Sequence, residues 1–383
     1  LSSHAQHPES QGGAGLAPGA RAMRAERDGR LASWDVNTAP FTVAWELTRA
    51  CAYVCLHCRA DAQPYRDPNE LTTEEIFAVV DDLARFGSSI LVLTGGDPMA
   101  RPDLEDIAAR AHSLGLRVAL SPSATARVTR KRLVSLREAG VRRVALSLDG
   151  VDAAVHDGFR GLPGSFARTK SITQTLAEED LALQINTTVA RHNVESLPEM
   201  ARVVAGMEPV QWSLFFLVPT GRAQIATMLS AAEHERLFNW IYDLSHVAPF
   251  DIKVTEAPAY RRVVAARNGQ GANAPVAGAG YRFADGLDRP AVGIGDGKGF
   301  MFISHTGDVT PSGFLPFTAG NVRERSAVEI YRDSPIFRAL RDPAALKGGC
   351  GSCEFNSLCG GSRSRAYAVT GDYLAADPAC VLA

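Results

Sequence analysis

A chain of 383 residues with 46% apolar content can bury a full core, as one large domain with a smaller one beside it. Its formal charge of −2 gives no general attraction for nucleic acid or an anionic membrane, and no apolar run is long enough to span a bilayer, so neither partner is expected. Seven cysteines with no secretory signal fit the reducing cytoplasm, where clustered thiols serve metals or catalysis more often than disulfides.

Residues 1–37 are rich in Gly, Ala, Ser and Arg and are expected to form a disordered tail. A core over 38–255 then alternates strands and helices. Its first strand, FTVAWELT (41–48), ends at the stretch CAYVCLHC, and a helix follows with a capping box at Thr72 and Glu75 and apolar residues at helical spacing. Strand ILVLT (90–94), a helix opened by Pro102 and strand RVALS (117–121) come next, then a helix near 129–139 and strand RRVALSL (142–148). A helix near 164–178, strand ALQINTT (182–188), a helix near 195–206 and strand VQWSLFFLV (210–218) complete six units, with one more helix near 231–245. Buried β-branched strands alternating with amphipathic helices give an α/β fold with a parallel sheet, either an open doubly wound sheet or a full or partial barrel.

In such sheets reactive groups gather at the carboxyl ends of the strands. The cysteines, TGGDP, SPSA, SLDG and Asn186 all fall there, which points to one large site in a barrel mouth. Residues 256–340 are expected as a linker with a short β segment, including the Gly/Ala-rich run 266–280. Residues 341–383 contain too few apolar residues to hold themselves together and are expected to be organised by a metal.

Cys51, Cys55 and Cys58 are spaced C-x3-C-x2-C, one thiolate short of a tetrahedral site. Two alternatives stand: zinc with His57 as fourth ligand, or a 4Fe-4S cube with one iron left open for a cosubstrate. Cys350, Cys353, Cys359 and Cys380 are spaced C-x2-C-x5-C-x20-C and suit either an all-cysteine zinc site or a fully ligated 4Fe-4S cluster.

The stretch CAYVCLHC, following the first strand of a βα series and followed by a Gly-Gly-acid turn, resembles the signature of the radical S-adenosylmethionine (SAM) superfamily. The resemblance implies a partial (β/α)6 TIM-type barrel and a cluster whose open iron takes the amino and carboxylate groups of SAM. Electron transfer into the sulfonium then yields a 5'-deoxyadenosyl radical, with a low-potential donor such as flavodoxin or ferredoxin supplying the electron. Gly95, Gly96 and Asp97 resemble the family's GGE turn, with Asp in place of Glu, that binds the methionine amino group. Ser121, Ser147 and Asn186 resemble its polar strand-end contacts to the ribose or methionine, and Arg160 an arginine that holds the methionine carboxylate.

The C-terminal end resembles the shortened SPASM or twitch module, which implies a second, auxiliary 4Fe-4S cluster; Ser312 stands where longer modules carry a further cysteine. The stretches WELTRACAYVCLHCRADA and CGGSRSRAYAVTGDYLAADPAC are most similar to the branch that modifies tetrapyrrole side chains in haem pathways. Oxidative decarboxylation of a tetrapyrrole propionate is therefore expected, with Arg222, Arg261 and Arg262 as candidate grips for carboxylates and His305 as a candidate ligand to a haem-type iron. Peptide modification, the common task of SPASM relatives, and a non-catalytic zinc-stabilised binding protein are the alternatives.

Overall fold

A computed structural model describes residues 31–272, 287, 289–290 and 292–383. Eight strands run parallel: β1 (Thr42–Glu46), β2 (Ile90–Thr94), β3 (Arg117–Leu120), β4 (Arg143–Ser147), β5 (Ala182–Val189), β6 (Gln211–Phe216), β7 (Asp251–Thr255) and β8 (Phe300–Ile303). They lie in the order β8-β1-β2-β3-β4-β5-β6-β7, and two short antiparallel strands, β9 (Asp308–Thr310) and β10 (Gly320–Asn321), extend the β8 edge.

The period-two alternation of each strand decides what lies on its two faces. Leu91 and Leu93, Val118, and Val144 and Leu146 are buried without lining the interior cavity. The alternate positions, Ala44, Val92, Ala119, Ala145, Ser147 and Asn186, line an interior cavity. These inward residues are mostly small or polar, so they do not fill the centre as the branched residues of a closed barrel do.

The helices that cover the outside follow from local sequence. Thr72 and Glu75 form the expected capping box at the start of α1 (Thr73–Leu83), which buries Ile76, Val79, Val80 and Leu83. Around the sheet follow α2 (Leu104–Ser113), α3 (Arg130–Glu138), α4 (Ala153–Arg160), α5 (Ser165–Glu178), α6 (Leu197–Ala205) and α7 (Ala231–Val247).

Two strands depart from the expected six units. The segment DIKVT was not expected as a strand, because Asp251, Lys253 and Thr255 break its apolar run; it pairs along β6 as β7. The region 256–340 holds the expected short β segment together with helices. It carries α8 (Ala259–Arg267), strand β8 beside β1, α9 (Ala327–Asp333) and α10 (Pro335–Arg341). The expected tail falls outside the described residues over 1–30, whereas Leu31–Ala32 pairs in parallel with Arg289–Pro290 and Trp34 packs edge-on to Phe41. The Gly/Ala-rich run lies outside the described residues from 273 onward.

The C-terminal segment contains α11 (Gly348–Ser352) and α12 (Arg363–Thr370). Polar contacts fasten it to the barrel. Ser362 donates to Glu256, just past β7, and Ser364 donates through both its backbone N–H and its hydroxyl to Asp296 at 2.8 Å. Within the segment Arg365 pairs with Asp377 at 3.2 Å, both fully buried. No helix among the described residues is long and apolar enough to cross a membrane.

Candidate functional site

Cys51, Cys55 and Cys58 sit in the loop after β1, and all three line one cavity of about 490 Å3. The loop is held from several sides. Cys51 N–H donates to Gln63, Tyr53 Oη donates to the Ala124 carbonyl at 2.8 Å, and Arg222 Nε donates to the Cys55 carbonyl at 2.9 Å. Each sulfur has a donor: Tyr53 N–H at 3.3 Å from Cys51, Ala62 N–H at 3.4 Å from Cys58, and Arg160 Nη1 at 3.6 Å from Cys55. Burial pushes the Cys51 and Cys55 thiols up, so thiolates at these positions call for a nearby positive charge such as bound metal.

Gly95 and Gly96 line the same cavity, and space dictates glycine there. A Cβ at Gly95 would stand 2.5 Å from the Thr48 carbonyl oxygen, and one at Gly96 2.5 Å from that of Arg49. The turn is thereby clamped under the cysteine loop, with Gly96 N–H donating to Thr48 and Asp97 N–H to Ala50. The Asp97 carboxylate is engaged within its own turn. It accepts from Thr125 Oγ1 at 2.7 Å and from Met99 N–H at 3.2 Å, capping the short turn Pro98–Ala100, and is buried away from the cavity.

Ser121, Ser147 and Asn186 do face the cavity. Ser123, which sequence reasoning missed, is nearer the sulfurs: its hydroxyl lies 3.4 Å from Cys51 Sγ and donates to the Gly96 carbonyl. Arg160 also lines the cavity, with Nε 2.8 Å from Asp149 Oδ2, although neither atom is aligned as a hydrogen bond. Burial alone would raise the Asp149 carboxyl, yet chiefly the Arg160 guanidinium, with the Thr188 N–H, holds it below its ordinary range. His57 stacks on Phe159 at 4.1 Å, and Phe159 stacks in turn on His192. Burial brings His57 down to about 3, so it is neutral at physiological pH.

The other candidates divide. Arg222 braces the cysteine loop, and Arg261 lines the cavity while donating to the carbonyl of Ile294. Arg262 pairs with Glu235 beside the C-terminal cysteines. His305 cannot serve a ligand in the cavity: it is buried outside the lining, with Nδ1 3.0 Å from Glu46 and Nε2 3.6 Å from Asp67.

Cys350, Cys353, Cys359 and Cys380 ring a second, small cavity. Each sulfur accepts a backbone N–H at 3.4 Å, from Asp377, Phe355, Gly361 and Leu382 respectively. Burial pushes Cys359 up to about 12. Among the described residues, no group of three or more His, Cys, Asp or Glu is placed to hold a single metal ion, and each cysteine set lines a cavity.

Residues 45–204 match the family model described as the radical SAM superfamily. The chain is 40% identical over 347 residues to an AdoMet-dependent heme synthase of Methanosarcina barkeri, covering 90% of this chain and 97% of the relative. The chain belongs to the radical SAM superfamily. A second AdoMet-dependent heme synthase, from Oleidesulfovibrio alaskensis, is 39% identical over 98% of this chain and 94% of its own. In fold the chain is similar to Streptococcus suis SuiB solved with its precursor peptide SuiA, with a TM-score of 0.67 at 16% identity over 90% of this chain and 76% of that one.

This is therefore a radical SAM enzyme with a partial TIM-type barrel, and a 4Fe-4S cluster and SAM are the cofactors its family implies. The donor set fits them: three cysteines with N–H partners beside a polar rim of strand ends. At the other end of the cavity of this radical SAM enzyme lie groups that the sequence did not mark. Arg143, Lys253 and Arg289 line it there, and Glu256, Asp296 and Ser362 form the wall toward the C-terminal cysteines. Burial raises the Glu256 carboxyl well above its ordinary range, and the neighbouring Asp296 raises it further. Glu256 also has a positive φ of 57°, a conformation that costs energy for a residue with a Cβ.

Proposed function

We propose that this enzyme removes a hydrogen atom and then carbon dioxide from a tetrapyrrole propionate, as in the last steps of a haem pathway. The carrying observation is the cavity itself. Phe41, Phe215, Phe300, Phe302 and Phe314 line it together with the three cysteines, which suits a flat aromatic ring whose side chain must reach the cluster loop. The two heme synthases similar along nearly the whole chain support the same substrate.

When bound, the cluster and SAM supply a 5'-deoxyadenosyl radical for hydrogen abstraction. Cys51, Cys55 and Cys58 would hold the cluster, and Gly95, Gly96, Ser121, Ser147, Arg160 and Asn186 would receive SAM. Asp97 would act through the turn it caps. Removing a hydrogen atom and carbon dioxide from a propionate to leave a vinyl group frees one electron. We place its acceptor at Cys350, Cys353, Cys359 and Cys380, as an auxiliary 4Fe-4S cluster, because Ser362 of that segment both lines the cavity and donates to Glu256. The N–H donors aimed at all four sulfurs suit thiolate ligation. In this account residues 38–255 are the radical SAM core, 341–383 the auxiliary module, and flavodoxin or ferredoxin the reductant, all in the cytoplasm.

Mass spectrometry of iron-coproporphyrin III after anaerobic incubation with reduced enzyme and SAM tests the proposal. Loss of carbon dioxide and two hydrogens per propionate is expected. An unchanged porphyrin beside abundant 5'-deoxyadenosine would move the substrate to another class, peptides first.

A further inference from the structure

A lysine in the cavity wall usually has a carboxylate near it. Lys253 does not. It sits mid-strand in β7, in register with Ser213, Asn186 and Ser147 across four neighbouring strands, and faces the cavity. The charged groups that act on its ammonium are Arg289, Arg143 and Arg261, all cations. Asp251, two residues earlier, is turned toward Arg289, whose Nη2 lies 4.0 Å from it.

The placement of the arginines gives this region a direction. Arg143 is the first residue of β4, at the end of the barrel opposite the cysteine loop. Arg143 and Arg289 both approach the Gln211 side-chain oxygen at 3.5 Å, and Gln211 opens β6 at the same end. A positive charge in a cavity wall, partly shielded from water and without an opposite charge, is costly, and a carboxylate ligand would complete it.

We infer that Lys253, with Arg143 and Arg289 beside it, forms a carboxylate-binding site at the floor of the cavity, holding the substrate by carboxylates remote from the one that reacts. The identity of those carboxylates as propionates rests on the tetrapyrrole reading; the anion site itself rests on Lys253 and its neighbours. Such a site sets orientation. A ring gripped at the floor presents its opposite edge to the cysteine loop, so the carboxylates that bind and the carboxylate that is lost are separated by the width of the ring. Lys253 is then a binding and positioning residue.

The test uses the full-length reconstituted enzyme and metal-free coproporphyrin III, whose fluorescence reports binding. Lys253→Met is expected to weaken binding by about tenfold and Lys253→Arg to stay close to wild type, because the arginine keeps the charge. The unliganded Lys253→Met protein is expected to melt no lower than wild type, since it loses an uncompensated charge and keeps the chain length. Equal binding by wild type and Lys253→Met would overturn the site while leaving the tetrapyrrole reading intact. Failure of the wild type to bind the porphyrin would instead strike that reading. The site is then decided by acylation of Lys253, read by peptide mass spectrometry: protection by benzene-1,3,5-tricarboxylate keeps it. No protection, or equal protection by inorganic phosphate, overturns the carboxylate assignment.

Discussion

Arg160 Nε stands 2.8 Å from Asp149 Oδ2, while Nη1 of the same guanidinium lies 3.6 Å from Cys55 Sγ. One arginine at the end of α4 thus ties a buried carboxylate after β4 to the loop that carries the cluster cysteines. Asp149 is itself fixed, accepting the Thr188 N–H at 2.7 Å and receiving His192 and Asn193 at its carbonyl. The expected role of Arg160 as a free grip for a carboxylate is therefore narrowed: its Nε side is committed, and Nη1 faces the sulfur.

Asp149→Asn keeps the shape and the Thr188 bond but leaves the Arg160 charge unpaired. Loss of one partner of a buried pair costs about 3–5 kcal/mol, so a clear fall in thermal stability is expected. The cluster absorbance is expected to survive at low temperature, because the three cysteines remain.

The two cysteine sets are expected to fail separately. Cys55→Ala should abolish SAM cleavage and remove about four of the roughly eight iron atoms per chain, whereas Cys380→Ala should remove iron from the second site and destabilise residues 341–383. Anaerobic metal and sulfide analysis of both variants measures this. Zinc at the second site in wild-type protein would end its assignment as an electron acceptor.

Glu256→Gln tests the acid pair in the cavity wall. A carboxyl raised in the folded state contributes stability below its unfolded value, near 4.5, and loses it as pH rises through the folded value. Wild type is thus expected to lose stability with rising pH over that window, and Glu256→Gln to show a flatter profile, since the amide preserves the Ser362 contact without titrating. Parallel profiles would show that Glu256 does not hold a proton.

Lys253 gives the opposite sign. Burial, then Arg289, Arg143 and Arg261, bring it down to about 8 from 10.5. Between those values the unfolded chain binds the extra proton, so unliganded stability should rise with pH there. Carboxylate binding is favoured by the ammonium form, so affinity for coproporphyrin should fall as pH rises through 8 and level off at about the tenfold loss expected of Lys253→Met, and Lys253→Arg should remove the dependence. Asp251, paired with Arg289, and the raised Glu256 are the acids on the same wall, which makes the arginine variant the necessary control.

The cysteine spacings and the Gly-Gly turn were legible because they are local: C-x3-C-x2-C and TGGDP each carry their geometry within a few residues. Asp97 shows the limit. Its side chain had two outlets, the cavity or the turn beginning at Pro98, and only the packing of Thr125 against it selects the second. Lys253 was hidden because DIKVT alternates polar and apolar residues over too short a span to be recognised as a strand, and its neighbours come from β4 and from residue 289. The wall of Glu256, Asp296 and Ser362 joins three distant segments and has no local signature.

The central claim is that a radical formed at the cysteine loop takes hydrogen from a propionate held in the same cavity. Incubating reduced enzyme anaerobically with SAM and iron-coproporphyrin III deuterated on the propionate methylenes, and weighing the 5'-deoxyadenosine formed, tests it directly. Deuterium in the 5'-deoxyadenosine, in step with loss of carbon dioxide from the porphyrin, is predicted. Unlabelled 5'-deoxyadenosine with intact porphyrin would contradict the claim.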